Sequence, residues 1–193
     1  MAEIKGLALV PNRECGECTV CCKVLLIDEP ELQKLPGVLC PNCKPGAGCQ
    51  IYADRPRPCR GFFCGWRLMP ELGDELRPAR SGILVRVMTD HIPPGFNPIG
   101  LNFLLYDRTD IIGPGLAGYL SRLVANGIAV FLSIRGPVGY SDGAVLLNEH
   151  LAPPVVNGDS NRALGILRDA LAALSTNKFE PAVFKHKIGA QTG

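Results

Sequence analysis

With 193 residues, 47% of them hydrophobic and 20% charged, the chain has the make-up of a soluble globular protein and can bury a core as one domain or two small ones. The formal charge is +2, with 11 basic against 10 acidic residues in 1–80 and 9 against 8 in 81–193, so neither half is a basic patch and no nucleic-acid partner is expected. The apolar run Gly6–Val10 is too short for a secretory signal, and no run approaches the roughly 20 residues that span a bilayer, so a cytoplasmic protein without a membrane partner is expected.

Taken in chain order, residues 1–80 carry proline and glycine every few positions and leave little room for regular structure. Lys23–Ile27 reads as a strand. Asp28 then fits a helix N-cap, with Pro30 in the first turn and Glu31 three residues after the cap, predicting a short helix through about Leu35. The polar segment 70–82 marks a boundary between a cysteine-rich domain, 1–80, and a small α/β domain, 81–193.

Beyond it, residues 82–89, 99–106, 128–134 and 143–148 are apolar, partly β-branched runs bounded by Gly, Pro or Asp, and read as four strands. Leu116, Tyr119, Leu120, Leu123 and Val124 recur at helical spacing before Gly127. Leu164, Leu167, Leu171 and Leu174 do so after Asp159 or Ser160 as N-cap. The last fifteen residues, from Phe179, read as a loosely docked tail. The expected class is α+β or α/β, with an irregular metal-stapled head followed by a small mixed sheet and two helices.

The cysteines organise the chain. Cys15, Cys18, Cys21, Cys22, Cys40, Cys43, Cys49, Cys59 and Cys64 all lie in the first third, and none occurs in the 129 residues after Cys64. Cysteine used as a small hydrophobe would be spread through the core, whereas confinement with two-residue gaps is the pattern of metal ligation. Two residues between cysteines let a tight turn aim both sulfurs at one ion, and Cys15/Cys18, Cys18/Cys21 and Cys40/Cys43 all have that spacing.

An odd cysteine count and the lack of an export signal argue against disulfides. Side chains of adjacent residues diverge, so Cys21 and Cys22 are expected to serve different metals, or one of them to be spare. Eight thiolates around two divalent ions leave a net charge of about −4, for which Arg55, Arg57, Arg60 and Arg67 are the expected compensation. Cys15-x-x-Cys18-x-x-Cys21 matches the start of a ferredoxin run without its fourth cysteine and proline, while "CPNCKPG" has the form of a zinc-ribbon knuckle, so zinc and iron both stay open.

The C-x2-C-x2-CC opening, followed by "GCQIYADRPRPCRGFFC", resembles the YkgJ-like cysteine-cluster family, whose members are described as chelators of zinc or iron. The resemblance covers about residues 12–67. It implies Cys15, Cys18, Cys21, Cys22, Cys40, Cys49, Cys59 and Cys64 as ligands, with Ile51, Tyr52, Arg55, Pro56 and Arg60 completing the motif. It makes Cys43 a surplus thiol, whereas the knuckle reading makes Cys43 a ligand. Arg55 and Arg60 are expected to act as charge-assisted donors, and Pro56 and Pro58 to hold the chain extended between Cys49 and Cys59. Tyr52 reads equally as a packed aromatic with a tethered hydroxyl or as a functional group.

"GPGLAG" (113–118) fits G-x-G-x-x-G before a helix. No acidic residue closes the next strand near Ile134, so glycine used for a turn and a helix start is the expectation. His91, His150 and His186 are scattered and read as surface or loop residues; "DHIPPGFNP" around His91 reads as a connection between strands.

The expected function is that of a cytoplasmic metal-binding protein holding zinc or iron, the latter as ions or an iron–sulfur cluster, in a structural or redox role, with a protein partner or a ligand for residues 81–193. The alternative is an enzyme, since some proteins with similar clusters are described as iron–sulfur oxidoreductases or flagellin lysine methylases. Nothing in 81–193 names such chemistry. A labile cluster used for metal trafficking is a third expectation.

Overall fold

The computed structural model describes residues 8–107 and 112–185. Helix α1 spans Val20–Val24, strands β1 and β2 span Ile27–Glu29 and Leu32–Lys34, and a second strand pair follows as β3, Cys43–Lys44, and β4, Gly48–Cys49. The expected strand at 23–27 and helix at 28–35 are therefore corrected. Residues 20–24 are helical, and 27–34 form an antiparallel hairpin with Ile27 opposite Lys34 and Glu29 opposite Leu32. The reason is burial with a period of two: Leu32 and Lys34 both point inward with Gln33 less covered, a pattern a helix would place on opposite faces.

Short helices α2 (Arg57–Gly61), α3 (Gly65–Leu68) and α4 (Pro78–Ser81) complete the first part, with a 3₁₀ turn at Asp74–Leu76. Pro58 sits in the first turn of α2, so it opens a helix instead of extending the chain toward Cys59.

The larger element is a mixed sheet of β5 (Ile83–Met88), β6 (Gly100–Leu105), β7 (Ala129–Ile134) and β8 (Gly143–Leu146) in that spatial order. β6 and β7 are parallel, joined across α5 (Pro114–Ala125), while the outer pairs are antiparallel. The fold is α+β, and all four strands fall where the apolar runs put them. Helix α7 (Ser160–Ser175) also does, its N-cap Asp159 accepting from the Arg162 backbone N–H at 2.9 Å. Helix α6 (Asn148–Val156) is an addition, hidden in the sequence by Pro153 and Pro154. Each proline deletes an i→i−4 hydrogen bond, to the carbonyls of Glu149 and His150, and both those residues are exposed to water.

Strand alternation gives the sheet two different faces. Ile83, Val85, Leu101, Phe103, Leu105, Val130 and Leu132 point to one side, where they form the main core with Leu116, Leu120, Leu151 and Leu167 of the three long helices. Leu84 and Leu104 point to the other, against Val20 and Val24 of α1. The cysteine-rich head thus covers the face of the sheet opposite α5–α7.

Apolar contact also crosses residue 80 on the helical side, because Leu68, Met69 and Leu72 belong to the main core. Gly65 lets α3 approach: a Cβ there would stand 2.6 Å from Val85 Cγ1. Of the expected loose tail, 179–193, the stretch 179–182 is docked, while 186–193 lie outside the described residues. Ser141 N–H donates to Glu180 O and Ala182 N–H to Gly139 O, and Phe179 packs on the core. His186 lies outside the described residues, as do Arg108, Thr109 and Asp110 ahead of the glycine-rich motif.

Candidate functional site

All nine cysteines are free thiols. Tight turns present them: Cys18 N–H donates to Cys15 O at 2.9 Å and Cys43 N–H to Cys40 O at 3.0 Å, the turn that two-residue spacing calls for. Cys40 N–H in turn donates to Cys22 O at 3.0 Å, which ties the second knuckle to α1. The loops themselves touch. A Cβ on Gly48 would lie 2.2 Å from Gly16 O, and Gly48 has φ +73°, so only glycine brings the Cys49 strand against the Cys15–Cys18 turn.

A single cavity of about 250 Å³ opens between the head and the sheet, and eight cysteines line it: Cys15, Cys18, Cys21, Cys22, Cys40, Cys49, Cys59 and Cys64. Cys43 does not. It stands directly across from Cys49 in the β3–β4 pair, where it hydrogen-bonds with Cys22. Its thiol is pushed up, first by burial and then by that bond.

The eight thiols divide at the Cys21–Cys22 step. Cys18, Cys21 and Cys64 pack with Val20, Val24 and Phe62, whereas Cys22, Cys40 and Cys59, joined by Cys43, pack with Ile27 and Leu32. Electrostatic contacts follow the same division. Cys15 acts on Cys18, Cys21 and Cys64; Cys59 is influenced by Cys22, Cys40 and Cys49. The groups meet at Cys21 and Cys22, whose Sγ atoms stand 4.0 Å apart.

Their protonation differs as a result. Hydrogen bonding from the Cys21 thiol, opposed by burial and helped by Cys43, Lys34 and Arg55, brings Cys22 down to about 6. Cys21 is pushed up by giving that bond and by burial. Burial raises Cys64 to about 11 and also raises Cys18 and Cys59. Backbone N–H groups favour the charged sulfur at two positions: Arg67 and Trp66 toward Cys64, Val20 and Ala79 toward Cys18.

Among the described residues no group of three or more His, Cys, Asp or Glu stands in an arrangement suited to hold a metal ion. Sulfur ligation at about 2.3 Å therefore requires the loops to close on the ion. The donor set is compatible with it: soft thiols, presented on tight turns, two of them facing backbone N–H groups.

Cations surround the thiols, though not the full set expected. Arg55, Arg67 and Arg77 line the cavity, while Arg57 and Arg60 are exposed and do not. Arg55 donates from Nε to Tyr52 O at 2.9 Å and lies 3.8 Å from the Tyr52 ring centroid. The Tyr52 hydroxyl contacts Cys15, so Tyr52 is a tethered aromatic at the cavity edge. Lys34 carries no motif that would have singled it out: it is 4% exposed and donates from Nζ to the carbonyls of Lys23 and Leu35 at 3.1 Å each and to Leu25 O.

Other candidate signals dissolve. A Cβ at Gly115 would meet nothing within 4 Å, so no close approach demands that glycine, and Gly113 serves as the N-cap residue of α5. His91 and His150 are exposed and line no part of the cavity. No helix among the described residues is long and apolar enough to cross a membrane. No family model matches this sequence, and neither a curated protein nor a solved structure matches it.

Proposed function

We propose that this chain is a thiolate metal-binding protein, holding zinc or iron in two four-sulfur centres, Cys15/Cys18/Cys21/Cys64 and Cys22/Cys40/Cys49/Cys59. The observation that carries the reading is the convergence of eight cysteines, drawn from six separate segments, on one cavity, and their division into two neighbour groups at adjacent residues. Scattered core cysteines have no reason to line a common space. The division also answers the geometric problem of Cys21 and Cys22, whose side chains serve different centres. In this reading Cys43 is the surplus thiol, and the resemblance to the YkgJ-like pattern, which lacks it, agrees.

With every ligand a protein sulfur, both centres are closed, which suits a structural or electron-transfer role better than hydrolysis. Free thiols on this scale suit a reducing compartment such as the cytoplasm. The second reading is an iron–sulfur oxidoreductase or protein-modifying enzyme of the lysine methylase kind, with the centre as its cofactor site. The size of the cavity favours it, since about 250 Å³ with Phe62, Phe63 and Leu84 in its walls exceeds what two closed ion sites need.

Anaerobic purification followed by elemental analysis and visible absorption tests both. Two equivalents of zinc in a colourless protein support the closed structural centres. Iron with acid-labile sulfide and a brown colour supports the redox reading. Untagged protein that retains neither metal overturns the proposal.

A further inference from the structure

A buried guanidinium nitrogen without a partner is rare in a folded protein, and two arginines beside the first thiol group each have one. Arg67 is 7% exposed and lines the cavity, and its Nε is buried without a hydrogen-bond partner. Arg77 also lines the cavity with a buried, unpartnered Nε, and its charge acts on Cys18. Their guanidinium carbons lie 5.6 Å from the Phe63 ring centroid and 5.5 Å from that of Trp66, respectively. Stacking occupies the face of a guanidinium but leaves its in-plane N–H donors unanswered.

No carboxylate answers them either. Among the described residues the ion pairs are Arg86–Asp142 and His91–Asp90, and Glu14, which lines the same cavity, forms none. The anions left to satisfy these arginines are the sulfurs. Four thiolates around a dication carry two negative charges in excess, and two arginines offset them.

The second thiol group also has two cations beside it, whose donors are held by backbone carbonyls: Lys34 Nζ by those of Lys23, Leu25 and Leu35, and Arg55 Nε by that of Tyr52. The buried ammonium of Lys34 acts first on Cys40 and Cys22, then on Cys21 across the division and on Cys59, and Arg55 acts on Cys22 and Cys59. Neither has a carboxylate partner among the described residues.

We infer that Arg67 with Arg77, and Lys34 with Arg55, are two pairs of counter-charges, each weighted toward one four-thiolate centre and making it electroneutral around a core of charge 2+. This rests on the metal reading above and adds what that reading does not contain: the charge of the bound core, and four positioning residues that touch no metal. The core so specified is a divalent ion or a cluster of the same charge. A monovalent ion would leave each centre with a negative charge unanswered inside a largely apolar cavity.

The test uses the full chain, reduced and anaerobic, titrated with Cd²⁺ alone. Thiolate-to-cadmium charge-transfer absorbance gives the number of equivalents, and competition with a chelator gives their affinities. Two equivalents are expected for the wild type. Arg67→Gln or Arg77→Gln weakens one of them by about tenfold or more and leaves the other unchanged, the usual size of an effect transmitted to a metal from outside its ligand shell. Lys34→Met or Arg55→Gln weakens the other equivalent. Arg67→Lys, which keeps the charge and loses the planar stack, restores most of the affinity that Arg67→Gln loses; a purely packing role would give no such rescue.

If Arg67→Gln does not fold by circular dichroism, the partly exposed Arg77 carries the test. Unchanged affinities in the Arg77→Gln and Lys34→Met proteins overturn the inference, as does equal weakening of both equivalents by a single substitution. A wild-type chain that takes up no cadmium ends the metal reading itself and the inference with it, a failure distinct from a wild type that binds two ions beside variants that bind them as well.

Discussion

Cys21 and Cys22 are neighbours in sequence with opposite electrostatic fates. Cys21 gives its proton to a hydrogen bond with Cys22, which is thereby held as thiolate near neutral pH, while Cys64 deeper in the same cavity is held as thiol up to about 11. In chelator-treated protein at pH 7, Cys22 is therefore expected to be alkylated ahead of Cys64, with a rate that climbs as pH passes about 6. Peptide mapping by mass spectrometry after brief iodoacetamide treatment checks the order. At Cys43, outside the cavity, replacement by serine should retain both metal equivalents, whereas Cys18→Ser and Cys59→Ser should each lose about one. Equal loss from all three, by elemental analysis, would return Cys43 to the ligand set. The tight turns at Cys15/Cys18 and Cys40/Cys43 were legible from spacing alone, because a turn hydrogen bond needs a fixed gap. The counter-charges were half legible. Arg55 and Arg67 lie close to cysteines in sequence, but Arg77 and Lys34 reach the thiols only through the packing of Trp66 and the β1–β2 hairpin.

At the scale of elements, the four sheet strands and α7 followed from periodicity because each has a face buried against a large partner. The head was misread where short range and long range disagree. Asp28, Pro30 and Glu31 satisfy the local signature of a helix start, yet a hairpin forms, since it buries Leu32 and turns the Lys34 ammonium onto the carbonyls at the end of α1. The missed helix α6 also has a structural function. Its first residue, Asn148, is 5% exposed, accepts from Val130 N–H at 2.8 Å and donates to Ile128 O at 2.7 Å, fastening α6 to the start of β7. Asn148→Ala removes both bonds and leaves a buried amide and carbonyl unanswered. A loss of about 2–4 kcal/mol in urea unfolding is expected. Because Asn148 lies on the helical side of the sheet, metal content should not change, and a drop in bound metal at full stability would contradict this division of labour.

For the molecule as a whole, the sheet is a wall with a helical layer on one side and the thiol-bearing head on the other. Leu84 and Leu104, 1% and 0% exposed, are covered by Val20 and Val24, and Leu68, Met69 and Leu72 complete the core on the helical side. A fragment of residues 81–193 would uncover the first pair and lose the second set. It is expected to aggregate or to show poorly dispersed amide resonances, and a well-dispersed spectrum from that fragment would mean that the sheet and its helices fold without the head. The sequence by itself placed the four sheet strands and α7, because apolar periodicity and capping depend on residues a fixed few positions apart. Only the tertiary structure decided which thiols are neighbours, that Cys21 and Cys22 part company, and which cations face them. Those relations join residues tens of positions apart, and they are set by how loops close over a shared apolar face.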